Sequence, residues 1–438
     1  MLEISKTANK NYLCKVVKLE NLKKHSNADR LQVATIDFQD VITGMDAKEG
    51  DIYVYFPVEC KINKDFLSYT NSFRDKNLNE DKEKTGFFEE NCRVKAVKLR
   101  GEKSMGYIVP SQKVSAWPNY EFKIEDIGKE FDTINGLKIV EKYFAKQPQN
   151  RKIKEGKKPK LSRLIDGQVH LHTDTENLRK NVGKLELTDT ISITYKTHGT
   201  SWWVSNVLVK KPASIINRLL KLFKIDYVDS KYDIIYGSRR VVKNQYEDND
   251  KAKDHYFGYD LWEHIKDEVK DKIPKGYTLY GECLGYTRDG AYIQKNYDYG
   301  CSKGEFKLEI YRITNTNSDG LVTELSYPQI EEFCHKVNLA PSKLFYYGKI
   351  YDILIQKNIL PLKKEFGTDW RTPFIEYLEK EYNEKDCFMC TNKVPEEGIV
   401  VRKESLFHCE AYKLKSFRFL EQETKQLDKG ESNLEEEN

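Results

Sequence analysis

The sequence predicts an α+β protein in two folded parts, a small N-terminal β-barrel and a larger mixed domain after it. Three observations predict this. The chain has 438 residues, and domains hold roughly 100–200 residues each. Residues 12–130 carry short runs rich in Val, Ile and aromatics, bounded by polar turns, at the spacing of a small barrel. Residues 164–420 mix alternating strand patterns with amphipathic stretches.

In the N-terminal part the strand candidates are YLCKVVKLENL, LQVATIDF, DIYVYFPV and RVKAVKLRG, and residues 71–90 read as a long charged loop. Residues 146–163 hold eight basic residues and one acidic, with Pro and Gly among them, and read as a basic linker. In the second part the strand candidates are ISITYK, YDIIYGSRR, YTLYGECLGY, FKLEIYRI, GIVVRK and AYKLKSF. Residues 213–223, residues 329–337 and parts of 350–382 have helical spacing. Residues 421–438 carry seven acidic and two basic residues and read as a frayed acidic tail.

Composition narrows the function classes. Lys+Arg number 73 and Asp+Glu 69, a net charge of +4. With the tail at −5, the remainder is basic, which suits a polyanion partner but is also common in proteins that bind none. No apolar run approaches the ~18 residues of a membrane span, and the N-terminus MLEISKTANK has no apolar signal core. The sequence therefore predicts a chain with no membrane partner, cytoplasmic and monomeric. Nine cysteines show no disulfide framework, so reduced thiols are expected. Cys387 and Cys390 form one C-x-x-C pair that His408 and Cys409 could complete as a zinc site; ordinary buried thiols are the other reading.

Four strands place polar residues in register. In residues 191–196, Ile191, Ile193 and Tyr195 share one face and Ser192, Thr194 and Lys196 the other. Thr197-His198-Gly199-Thr200-Ser201 follows, a turn whose hydroxyls and N–H groups could hold an anion and whose Gly199 would let backbone approach a phosphate. The competing reading of Lys196 is a surface lysine. Glu282 lies inside an otherwise apolar strand, where a carboxylate needs a partner; a ribose, a metal or a salt bridge would each serve. Glu397 opens the apolar run GIVVRK, as a metal-binding carboxylate or a plain strand-end charge. Lys413 and Lys415 are two apart and share a face; either an anion relieves their repulsion or they guard an exposed sheet edge.

Taken in order, these elements resemble the covalent nucleotidyltransferases, the superfamily of ATP-dependent RNA and DNA ligases and mRNA capping enzymes. KTHG is similar to the motif of the adenylated lysine, YGSRR to the next motif, and GECLG to the ribose-binding glutamate motif. FKLEIYRI is similar to the strand bearing an adenine-stacking aromatic, EGIVVR to the fourth motif and KLKS to the fifth. HTDTENLRKN ahead of Lys196, with HSNADRL, GDIYVYFPV and RVKAVKLRGEKSMGYIVP in the N-terminal part, resembles the nick-sealing RNA ligases that carry an N-terminal OB-fold. One departure is Tyr195, where that family often has an acidic residue.

The resemblance implies an OB-fold β-barrel over 1–145, the linker 146–163, an adenylyltransferase domain of antiparallel β-sheets flanked by helices over 164–420, and the tail 421–438. It implies an ATP-dependent RNA ligase that joins 3′-OH and 5′-phosphate ends at nicks in RNA-containing duplexes, with Mg²⁺ or Mn²⁺. Lys196 would become adenylated. Thr197 and Gly199 would line the nucleotide site. Glu282 would bind ribose, Tyr311 would stack on adenine, and Arg239 would contact phosphate or ribose, with Arg240 beside it. Glu397 would position metal and phosphate, and Lys413 and Lys415 would stabilise charge on the α-phosphate and leaving group. His198 would contact phosphate or merely pack. Arg93, Lys95, Lys98 and Arg100 would contact the nucleic-acid backbone. The alternatives are a DNA ligase or GTP-using capping enzyme, against which the absence of a domain after Lys415 counts, and a non-catalytic OB-fold RNA-binding protein.

Overall fold

The computed structural model describes residues 1–144, 162–211, 229–245, 259–359 and 369–430. The basic linker falls outside them save its last two residues, as do the amphipathic stretch 213–223 and the tail end, residues 431–438.

The N-terminal strands form where the sequence places them, but as several short antiparallel sheets. Tyr107–Pro110, Ile52–Phe56, Cys14–Lys18 and Glu130–Phe131 make one, in that order. Lys23–Lys24, Leu31–Ile36 and Gln39–Gly44 make another. Ala96–Leu99 pairs with Glu102–Met105 as a hairpin. Among the described residues these sheets do not close into one barrel, contrary to the expectation over 12–130. The strands have two to six residues, too few to run through more than one sheet. Strand Ile52–Phe56 is buried on both faces: Val54 and Phe56 pack with Val16, Phe66 and Phe131, while Tyr53 and Tyr55 pack with Val17, Val41 and Ile108. Period-2 alternation thus feeds two clusters from one strand. The HSN run ties its loop to the hairpin. His25 Nε2 lies 3.1 Å from the Leu99 carbonyl, Ser26 N–H donates to Glu102 and Asn27 Nδ2 donates to the Arg100 carbonyl.

The second region holds two larger sheets. One orders Ser230–Ser238, Thr200–Lys210, Tyr277–Gly285, Phe306–Thr316 and Val322–Glu324. Its Trp202, Val204, Leu279, Cys283 and Ile310 pack against helices Leu261–Val269 and Tyr327–Val337. The other orders Glu176–Asn177, Glu410–Lys415, Gly398–Lys403, Thr190–Lys196 and Leu344–Lys349. Its Ile191, Ile193, Ile399, Val401, Tyr412 and Leu414 pack on helices Ile350–Gln356 and Arg371–Leu378. The chain crosses from the second sheet to the first between Lys196 and Thr200; the first sheet's other face buries Trp203, Val207, Val209, Ile235 and Tyr280 in a smaller apolar cluster.

The acidic tail begins differently from its expected form. Residues Phe417–Asp428 are a helix capped by Ser416, whose hydroxyl accepts from Phe419 N–H. It buries Phe417, Phe419, Leu420 and Glu423. Its far end docks on the N-terminal region, where Arg93 Nη2 lies 2.7 Å and Lys95 Nζ 2.9 Å from the Asp428 carboxylate. The apolar spacing that starts before 421 and these basic partners outweigh the acidic composition. No helix among the described residues is long and apolar enough to cross a membrane.

Gly398 lets the last two strands of the lysine sheet close up. It pairs with Lys415, and a Cβ there would sit 2.2 Å from the Leu414 carbonyl oxygen and 2.9 Å from Lys415 Cα. Because the obstruction is backbone, Gly398→Ala is expected to cost about 1–3 kcal/mol of stability, read as a lowered urea midpoint; an unchanged midpoint would contradict the close approach.

Candidate active site

Lys196 ends its strand in register with Gly398, which in turn is in register with Lys415. Residues directly opposite one another in antiparallel strands share a face. Lys196 and Lys415 therefore rise from one face of the sheet, and the residue between them has no side chain. Lys196 Nζ lies 2.5 Å from Glu397 Oε1, and the glutamate side chain is fully buried while the lysine side chain is 14% exposed. Tyr195, on the opposite face, packs against Phe345 and Phe388.

Lys413 and Lys415 do share a face, as Tyr412 and Leu414 enter the core between them. Their strand is flanked by Gly398–Lys403 and Glu176–Asn177, so the sheet-edge reading of the pair falls. Lys415 pairs with Glu59 of the N-terminal region at 2.9 Å and with Glu423 at 3.8 Å. Burial first, then the charges of Lys415, Lys196 and Arg239, lower the Lys413 pKa to about 8 against the pull of Glu59.

The other sheet supplies the remaining groups. Arg239, just past Ser230–Ser238, donates through Nε and Nη2 to Asp174 Oδ1 at 3.1 and 2.6 Å. Burial opposes ionisation of Asp174, but Arg239, its hydrogen bonds, and then His172 and Arg240 prevail and hold the carboxyl down at about 2. Arg240, more exposed, lies 3.5 Å from the same carboxylate. Glu282 is in register with Ser201 and Glu309. Tyr311 Oη lies 2.8 Å from His172 Nδ1 and 3.3 Å from Ser201 Oγ; burial first, then the charge of Glu282, raises its phenol pKa. His172 and Asp174 come from the HTDTEN run, whose part in the site the sequence alone signalled only through resemblance.

The turn after Lys196 is built differently from its reading as a phosphate cradle. A Cβ on Gly199 would meet the Cys283 carbonyl oxygen at 2.6 Å, so this glycine admits the neighbouring strand. Thr197 Oγ1 donates to Glu309 Oε1 at 2.9 Å and is buried. His198 packs edge-on against Tyr297 and Phe419, with Nδ1 3.9 Å from Glu397 Oε2. Its packing role is the one seen.

Of the basic N-terminal positions, Lys98 and Arg100 are exposed. Arg93 is 5% exposed and, with Lys95, is turned to the C-terminal helix, so these two do not present themselves to a polyanion in this arrangement. Among the described residues no three His, Cys, Asp or Glu side chains gather as a metal cage. Cys387 and Cys390 close a turn, the Cys390 N–H donating to the Cys387 carbonyl at 3.3 Å, while Cys409 feels the charges of Arg312 and Glu324. Glu396, adjacent to Glu397, is raised to about 10 by burial first, then by Cys387 and Glu397.

Glu309 was missed at the level of sequence, where it is one more glutamate in a strand. It accepts from Thr197 and from Ser342 Oγ (2.8 Å) beneath the lysine turn, and burial outweighs both bonds to raise its pKa from 4.5 to about 7. A raised folded-state value gives stability that is present below about 4.5 and lost as pH rises through about 7. Urea unfolding at pH 5 and pH 8 should therefore show the wild type losing on the order of 1–3 kcal/mol more than Glu309→Gln over that interval. Equal losses in the two proteins would remove Glu309 as the titrating group.

No family model matches the chain, and no curated protein matches it. Solved structures do. A lysine-substituted Naegleria gruberi RNA ligase with ATP and Mn is 15% identical, covers 94% of this chain and 98% of its own, with a TM-score of 0.56. A second lysine-substituted variant with ATP and Mn is 14% identical over 97% and 99%, with a TM-score of 0.55. A third, with AMP and Mn, is 14% identical over 94% and 98%, with a TM-score of 0.56. At such identities the likeness is one of fold, and it extends over both regions of this chain.

Proposed function

We propose that the chain is an ATP-dependent RNA ligase that joins a 3′-OH to a 5′-phosphate end, acting at nicks in RNA-containing duplexes. The observation that carries this reading is that Lys196 and Lys415 rise from one face of a sheet across Gly398, with Lys413 on the same face and Glu397 2.5 Å from the Lys196 amine. The occurrence of this arrangement in a fold shared with RNA ligases whose structures hold ATP or AMP and Mn supports the choice of reaction.

Nζ of Lys196 must be neutral to attack phosphorus. Its proton can leave toward Glu397 Oε1, 2.5 Å away. As the N–P bond to the α-phosphate forms, the bond to pyrophosphate breaks, leaving lysyl-AMP. Negative charge on the reacting phosphate and the leaving group faces Lys413 and Lys415. Lys413 makes no ion pair or hydrogen bond among the described residues, which leaves its ammonium for such an anion. A 5′-phosphate oxygen then takes the AMP from Lys196, and a 3′-OH displaces AMP to seal the strand. Glu282 serves the ribose, Tyr311 the base and Arg239 the phosphate or ribose at the break.

A divalent cation, Mg²⁺ or Mn²⁺, fits the donor set: one buried carboxylate, Glu397, beside the place of phosphate oxygens, with few protein ligands. It would supply neutralisation of phosphate charge. Residues 1–145 act as a clamp on the nucleic acid, with short sheets in place of the expected closed barrel, residues 146–163 as a linker and residues 164–420 as the adenylyltransferase domain. A groove of about 820 Å³ in the clamp, lined by Arg74, Phe87, Lys98, Tyr107 and Lys113, suits a backbone and bases.

Incubation with α-labelled ATP and Mg²⁺ or Mn²⁺ should leave an acid-resistant, amine-linked label on the protein. Lys196→Arg, which keeps a cation beside Glu397 but not the nucleophilic amine, should take none, and Lys413→Met should label about 10²-fold more slowly. Label persisting in Lys196→Arg would overturn the assignment. Sealing of nicked duplexes that differ only in the sugars at the break should favour ribose at the 3′-OH side; equal sealing of all-DNA nicks would favour a DNA ligase.

A further inference from the structure

The carboxylate nearest the lysine pair comes from the N-terminal region. Glu59 stands in the turn between strands Ile52–Phe56 and Cys60–Ile62, at φ +65°, a left-handed conformation uncommon for glutamate. Its neighbours fix it there: Glu59 N–H donates to the Val94 carbonyl and its own carbonyl accepts from Tyr143 N–H, each at 3.0 Å. The side chain reaches across to Lys415 Nζ at 2.9 Å. A cavity of about 30 Å³ adjoins it, and Arg179, Lys180, Lys413 and Lys415 are among its lining residues. Burial would raise the Glu59 pKa, but the charges of Lys415 and then Lys413, with the hydrogen bond from Lys415, hold it at about 2. A carboxylate of the protein itself thus stands against the ammonium groups that a polyphosphate would use.

We infer that Glu59 is a positioning residue for adenylation: its carboxylate holds Lys415 in the cleft before nucleotide arrives and yields that ammonium to the phosphates of ATP. This rests on the ligase reading for its substrate, but the ion-pair exchange itself asks only for a polyphosphate. The N-terminal region thereby sets the nucleotide affinity of a site whose chemistry lies in the other region. A contact that only held the two regions together would lower activity when removed. A contact that nucleotide must break does the opposite to affinity.

The test uses the full chain with Glu59→Gln and Glu59→Asn, the second because asparagine suits the left-handed backbone. The concentration of ATP giving half-maximal labelling of Lys196 should fall about fivefold in both, the order expected when a partly buried ion pair no longer has to be broken. Glu59→Asp, which keeps the charge, should stay nearer the wild-type value than either. Half-saturation unchanged or raised in both neutral variants would overturn the inference. Should the wild type take no label, the ligase reading fails and thermal unfolding with added inorganic pyrophosphate decides the rest. A larger upward shift in Glu59→Asn than in wild type sustains the exchange, and an equal or smaller shift ends it.

Discussion

Crowding of like charge is the constraint around which this molecule is built. Lys196, Arg239 and Lys415 each bear on Lys413, and like charges so placed repel unless answered. The answers come from scattered stretches of chain: Glu397 for Lys196, Asp174 for Arg239, Glu59 and Glu423 for Lys415. Each carboxylate must arrive on its own element, so the N-terminal turn, the loop before the lysine strand, the approach to Gly398 and the C-terminal helix are all bound to one electrostatic centre. Lys413 makes no ion pair among the described residues, and its burial, with the charges of Lys415, Lys196 and Arg239, lowers its pKa. Its charge is the part of the balance left open to a ligand.

How much of this the sequence disclosed follows from the range of each interaction. The lysine pair was legible because a strand's period of two fixes faces from spacing alone, and Tyr412 and Leu414 mark which face is buried. The strand ending at Lys196 was legible for the same reason. Glu59 and Asp174 were not, because each is a lone acid in a loop and meets its cation only after 356 or 65 residues of intervening sequence. The C-terminal helix was hidden by composition: seven acids in residues 421–438 suggested a solvated tail, while the signals that mattered, the Ser416 cap and the apolar residues 417, 419 and 420, lie just ahead of it.

Gly199 shows a second kind of limit. A glycine beside a candidate phosphate site is compatible with a ligand's approach and with the approach of the protein's own backbone, and the sequence is identical in both cases. Here the Cys283 carbonyl fills the space. The same holds for His198, whose ring is enclosed by Tyr297 and Phe419, residues far away in the chain. The barrel expected over 12–130 failed for a different reason. Alternation predicts strands well, but closure depends on pairing between the first and last of them, which no local pattern encodes.

An exchange of charge around one helix joins the two regions, beside the contacts of Asn11 with Thr175 and Asn177 and of Lys180 with Glu130. The N-terminal region lends Glu59 to Lys415, immediately before that helix, and receives Asp428, from the helix's last turn, for Arg93 and Lys95. Phe417 and Leu420 fill the space between, with Val58, Ala96 and Met105. Because Lys415 and Arg93 are both largely buried, salt screens these pairs little, and loss of one partner would strand a desolvated charge. The helix therefore cannot leave the N-terminal region without releasing Asp428, and Glu59 cannot leave Lys415 without changing the charge around Lys413 and Lys415. Docking of the regions and the charge around Lys415 are thus linked through five ionised side chains, Glu59, Lys415, Asp428, Arg93 and Lys95, set about an apolar contact.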